Sequence, residues 1–111
     1  MAADRLYVGI DLGGTKISTA LVSKEGRILE RDNRLTAALE GRDAVIARMV
    51  DAARQVMRHA APGQVAAIGV GAPGPMDAAV GLLTAPPNLP GWVDVPLKEL
   101  IETQLGIKTY L

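Results

Sequence analysis

Gly9-Ile10-Asp11-Leu12-Gly13-Gly14-Thr15-Lys16 decides how this chain is to be read. The apolar run Leu6 to Ile10 delivers an aspartate to the mouth of a tight glycine turn, and the β-branched run Ile17-Ser18-Thr19-Ala20-Leu21-Val22 leaves it. The pattern predicts strand, Gly-Gly turn, strand. The tip of such a hairpin carries backbone N–H groups, a threonine hydroxyl and a lysine ammonium. Glycines let a ligand approach the backbone closely, and amides beside an ammonium supply positive charge, so the tip suits phosphate oxygens. Asp11 stands where a hydrated magnesium ion would meet the same phosphates.

Two familiar phosphate loops do not fit. A P-loop needs Gly, four residues, then Gly-Lys-Ser/Thr; Gly9 to Gly14 has that spacing, but Thr15-Lys16 is in reverse order. A P-loop also opens a helix, whereas Ile17 to Val22 is strand-like. Gly-x-Gly-x-x-Gly, the dinucleotide fingerprint, does not occur in this stretch.

Composition narrows the rest. The 111 residues suffice for one domain with a modest core. Twelve basic and twelve acidic side chains cancel, which gives no electrostatic case for nucleic acid or a membrane surface. No apolar run approaches the ~20 residues that span a bilayer. The opening Met1-Ala2-Ala3-Asp4-Arg5 is too short for a secretory signal. Without cysteine there is no disulfide framework and no thiolate metal site, and the expectation is a soluble, cytoplasmic protein. Phenylalanine is absent, so the core must be built from Val, Ile, Leu, Ala and Met, as suits a sheet covered by Ala-rich helices.

Leu6, Val8 and Ile10 alternate with Tyr7, Gly9 and Asp11 in the first strand. After the turn Lys24-Glu25-Gly26-Arg27, Ile28 to Leu35 reads as a third, more exposed strand, completing an antiparallel meander. From about Arg42 to His59 the period lengthens to nearly four, with Val45, Ile46, Met49, Val50, Ala53, Val56, Met57 and Ala60 on one stripe. This predicts an amphipathic helix ended by Pro62-Gly63, its methionines serving as core filler. His59 falls in the last turn and is read as structural or surface, not catalytic. Val65 to Val70 predicts a strand buried on both faces and, arriving after a helix, parallel to the first.

That strand runs into Gly69-Val70-Gly71-Ala72-Pro73-Gly74-Pro75-Met76-Asp77, where prolines and glycines fix the backbone. In open α/β sheets ligands gather beyond the carboxyl ends of strands, where this loop and the Gly13-Gly14 turn both lie. Read without the first motif, the segment would be only a rigid turn before a small hairpin, with Met76-Asp77 against Leu82-Leu83. In Ala85-Pro86-Pro87-Asn88-Leu89-Pro90-Gly91-Trp92, prolines hold Asn88 on a stiff loop, where its amide can donate to and accept from a sugar hydroxyl. Trp92 is read as buried against the next helix. That helix runs Pro96 to Leu105, with Pro96 in its first turn and Gly106 closing it, and Ile107 to Leu111 opens another strand.

Gly-x-Asp-x-Gly-Gly-Thr-Lys, Gly-x-Gly-x-Pro-Gly-Pro-x-Asp and Asn-Leu-Pro-Gly-Trp, in this order, resemble the motifs of the ROK family (repressors, open reading frames and sugar kinases) of the hexokinase/actin/Hsp70 superfamily. The resemblance covers Gly9 to Leu111. It implies an α/β, ribonuclease-H-like (actin-like ATPase) domain: a mixed sheet with an antiparallel three-strand meander then parallel strands, and helices packed on it. It implies an N-terminal domain over 1–111 of an ATP-dependent sugar kinase, glucose being the first choice of substrate. Gly9, Asp11, Gly13, Gly14, Thr15 and Lys16 would hold MgATP, Asp11 reaching Mg2+ through its water. Pro73, Gly74 and Asn88 would hold the sugar. The family's general-base aspartate is expected just beyond Leu111, with a structural zinc and the second domain further on. Asp77, expected in a turn, and Asp94 and Glu99, read as helix-entry or surface residues, are no substitute. The parent is expected to be a homodimer with no nucleic-acid partner. The alternatives are a sugar-responsive repressor of the same family, disfavoured by the eight residues ahead of Gly9, and a non-catalytic actin-like nucleotide-binding module.

Overall fold

The computed structural model describes residues 4–111; Met1 to Ala3, part of the segment read as too short for a leader, lie outside it. Three strands, β1 (Leu6–Leu12), β2 (Lys16–Ser23) and β3 (Ile28–Leu35), form the antiparallel meander. A short 3-10 turn, Ala38–Glu40, leads into α1 (Arg42–Met57), which returns the chain to β4 (Val65–Gly71). The hairpin β5 (Met76–Asp77) and β6 (Leu82–Leu83) follows, then α2 (Leu97–Leu105) and β7 (Thr109–Tyr110). The main sheet runs β3-β2-β1-β4-β7, with β4 parallel to both β1 and β7.

Side-chain alternation makes the sheet two-faced. Leu6, Val8, Ile10 and Leu12 point into the core with Ile17, Leu21, Ile68 and Val70. The α1 stripe of Val45, Ile46, Met49, Val50, Ala53 and Val56 covers them. Leu89, Trp92, Leu97 and Ile101 extend the same core, so α1 and α2 lie on one side. The opposite side carries Tyr7, Gly9 and Asp11 of β1 and Ala67, Gly69 and Gly71 of β4. Consequently β4 is buried on one face only: Ile68 and Val70 are covered, whereas Gly69 and Gly71 are exposed. An unbroken apolar run does not distinguish these cases, because small residues such as Ala and Gly satisfy either face.

Element ends differ from the sequence reading for local reasons. α1 stops at Met57, so His59 lies beyond the helix, exposed, with Arg58 Nε donating to its Nε2 at 3.2 Å. Gln64 accounts for the early stop: its Oε1 accepts from Ala61 N–H and its Nε2 donates to Asp4 C=O, both at 2.9 Å, folding the connection onto the entry to β1. Pro96 caps α2 from outside rather than entering its first turn, at ψ 68°. Asp77 lies in the two-residue strand β5, not in a turn, because Met76 and Asp77 pair with Leu83 and Leu82. Gly106, left-handed at φ 66°, closes α2 by donating to Glu102 C=O.

Candidate functional site

β1 and β4 end side by side, with Asp11 in register with Gly71. A Cβ on Gly71 would stand 3.8 Å from Asp11 Oδ1, so the missing side chain leaves the exposed carboxylate open at this edge. The following loop carries Pro73 and Gly74 away from the sheet beside Asp11. It is tied down one residue later, where Pro75 C=O accepts from Thr84 N–H and Oγ1, each at 3.1 Å.

The Gly13-Gly14 turn is closed by Gly13 N–H donating to Lys16 C=O at 2.8 Å. Among the described residues, Gly14 N–H and Thr15 N–H donate to no backbone acceptor. Two unspent donors in successive residues suit an anion. The turn's carbonyls are engaged instead: Thr36 Oγ1 donates to Gly13 C=O at 2.7 Å, and Thr36 N–H donates to Thr15 C=O at 2.8 Å.

Asn88 sits directly on this turn. A Cβ on Gly14 would come within 3.0 Å of Asn88 Cβ, so only glycine admits the loop at this distance. Leu89 and Trp92, each 1 % exposed, anchor the loop in the core and leave Asn88 exposed between the turn and solvent. A cleft of about 630 Å³ opens there, lined by Gly14, Thr15, Ala37, Glu40, Pro87 and Asn88 among others. Lys16 lines an adjoining cleft of about 400 Å³ with Ser18, Asn33 and Arg34.

The structure therefore brings together Gly13, Gly14, Thr15 and Asn88, and sets Asp11 at the same sheet edge beside the loop of Pro73 and Gly74. Gly9 is placed apart, further down β1, flanked by Ala20 and Gly69 on the open face. Sequence reading missed Thr36, which is wholly buried. A hydroxyl residue at the end of a strand carries no signal of its own, because its partners lie 23 positions away. Arg48 was missed likewise; its Nη1 donates to Thr36 C=O at 2.9 Å and its Nη2 pairs with Glu40.

The donors fit a nucleotide phosphate with its magnesium. Gly14 and Thr15 offer free amides and Lys16 an exposed ammonium at the turn. Among the described residues no three His, Cys, Asp or Glu side chains converge, so a cation near Asp11 would complete its shell with water and phosphate.

The ROK family model matches residues 7–111. The chain belongs to the ROK family. Glucokinase of Thermotoga maritima is 36% identical over 105 residues, a match covering 94% of this chain and 32% of that protein. A protein of a Caldicellulosiruptor species, named provisionally as a xylose repressor, is 31% identical over 108 residues, covering 96% of this chain and 27% of that protein. The crystal structure of a ROK glucokinase from Streptomyces griseus with glucose and AMPPNP superposes with a TM-score of 0.85 at 29% identity, covering 96% of this chain and 32% of that one. The chain thus spans about a third of the length of the glucokinases it matches. The architecture is that of ROK glucokinases, the actin-like ATPase fold, as its motifs implied.

Proposed function

We propose that this ROK chain is the N-terminal domain, over 1–111, of a cytoplasmic ATP-dependent sugar kinase that phosphorylates a hexose hydroxyl, with glucose the first candidate. The observation that carries the reading is the seating of Asn88 on Gly14, which joins the residue suited to a sugar hydroxyl to the turn suited to phosphate. Phosphoryl transfer needs donor and acceptor held in line, and a rigid contact between the two subsites serves that end.

Gly14 and Thr15 amides and the Lys16 ammonium bind phosphate oxygens, and Asp11 orients the water shell of the cation. Asn88, with the Pro73-Gly74 backbone, orients the sugar. MgATP, when bound, supplies the phosphoryl group and the cation that neutralises its charge. Of the carboxylates at the site, Asp11 is assigned to the cation and Glu40 is ion-paired with Arg48, while Asp77, Asp94 and Glu99 are exposed and line none of the site's clefts, so none is free to take the proton from the sugar hydroxyl. The 111-residue chain alone should therefore phosphorylate glucose at a negligible rate. The base, structural zinc and homodimer contacts are assigned to the remainder of the parent kinase.

The test is ADP release by the full-length protein with glucose, N-acetylmannosamine, N-acetylglucosamine, fructose and allose. Asp11→Asn should lower kcat about a hundredfold or more, the scale of losing an electrostatic contact to a transferring group. Sugar binding, followed by Trp92 emission, should survive the substitution. Sugar binding without phosphorylation of any sugar would replace the kinase reading with that of a repressor, the reading the Caldicellulosiruptor relative favours.

A further inference from the structure

We infer that Thr36 is a positioning residue for the phosphate turn: it fixes the peptides on either side of the Gly14–Thr15 link so that the turn's amides face the ligand. The inference rests on the phosphate reading of that turn and adds a residue to it. In a trans peptide the C=O and the following N–H point in opposite directions. Thr36 Oγ1–H on Gly13 C=O at 2.7 Å therefore fixes Gly14 N–H pointing away from Thr36. Thr36 N–H on Thr15 C=O at 2.8 Å fixes the next-but-one peptide, which carries Lys16 N–H, so the Gly14–Thr15 peptide with its Thr15 N–H is held between two clamped neighbours. One buried residue thus clamps the turn at both ends and on its carbonyl side only.

The clamp is itself held. Arg48, from α1, donates to Thr36 C=O at 2.9 Å and pairs with Glu40. The adjoining Ala37 is left-handed at φ 49°, ψ 55°, a conformation that costs a non-glycine residue free energy. Strain of this kind persists where surrounding contacts fix the backbone. With the amides already oriented, phosphate binding need not order them, which is the advantage of a preorganised donor set.

The experiment uses magnesium tripolyphosphate, which offers phosphate oxygens without a nucleoside, titrated into the chain while the Gly14 and Thr15 amide resonances are followed. The wild type should show saturable shifts at both. Thr36→Val, which keeps the shape and loses the hydroxyl donor, should bind about three- to tenfold more weakly, the scale of one net hydrogen bond. Thr36→Ser, which restores the donor, should return to within about twofold of wild type, a rescue that a packing role would not give. If T36V does not fold, T36C carries the same expectation, since it keeps most of the volume and weakens the donor. Wild-type affinity in T36V, or equal losses in T36V and T36S, would overturn the inference and leave the phosphate reading standing. An unresponsive wild type would remove both.

Discussion

Gly14→Ala tests the contact on which the functional reading turns. Gly14 is not among the residues with positive φ, so its backbone admits an L side chain and the whole penalty comes from the neighbour. The new Cβ would lie 3.0 Å from Asn88 Cβ and 3.5 Å from Asn88 C=O, whereas carbon atoms prefer about 3.5–4.0 Å. Overpacking of this kind costs about 1–3 kcal/mol. Against it, Gly→Ala lowers the entropy of the unfolded chain, a gain of about 0.4–1 kcal/mol. The net effect in the wild-type background is neutral to about 2.6 kcal/mol destabilising. In an Asn88→Gly background the obstructing Cβ is gone, and the same substitution should stabilise by about 0.4–1 kcal/mol. The coupling between the two sites is then about 1–3 kcal/mol. Urea unfolding followed by Trp92, the only tryptophan and 1 % exposed, measures all four variants. A Gly14→Ala effect that is the same in both backgrounds would refute the packing of Asn88 on the turn, and with it the coupling of the sugar and phosphate subsites. A real coupling should also appear in the full-length enzyme as a raised sugar KM.

Two further outcomes follow from the scaffold. Arg34 grips Asp32 through two hydrogen bonds of 2.7 Å and holds its carboxyl below the ordinary aspartate value of about 3.9, mainly through those bonds. Between the two values the unfolded chain binds the extra proton, so the bridge's stabilisation is complete above the unfolded value and is lost as pH falls through the folded one. Asp32→Asn should accordingly flatten the loss of stability between about pH 5 and pH 2 in denaturant titrations; an unchanged slope would remove the bridge from the account. Met49 of α1 is fully buried in the core and Met57 is half-buried at the end of α1. Met49→Ala should cost about 2–5 kcal/mol and Met57→Ala distinctly less, and the reverse order in urea unfolding would contradict the core described.

Sequence alone determined whatever depends on near neighbours. The period-two run Leu6 to Leu12, the glycine turn and the period-four stripe of α1 are local patterns, and the structure has the meander, the helix and the parallel strand they announce. The β5–β6 hairpin, in contrast, stood only in the plainer reading of the loop at 73–75, and the structure pairs Met76-Asp77 with Leu82-Leu83. The three motif blocks likewise carried the family, which the comparison over residues 7–111 bears out. Tertiary structure alone decided that Asn88 rests on Gly14, that Thr36 clamps the turn and that both helices share one face of the sheet. Each of these joins residues distant along the chain through a glycine without Cβ, a hydroxyl or a packing choice, and none leaves a periodic trace. Helix ends belong to the same class: Gln64 reaching Asp4 across 60 positions set the end of α1, where Pro62-Gly63 had promised a later one. Local propensity specifies which elements form, and the contacts that place functional groups against one another arise only when those elements pack.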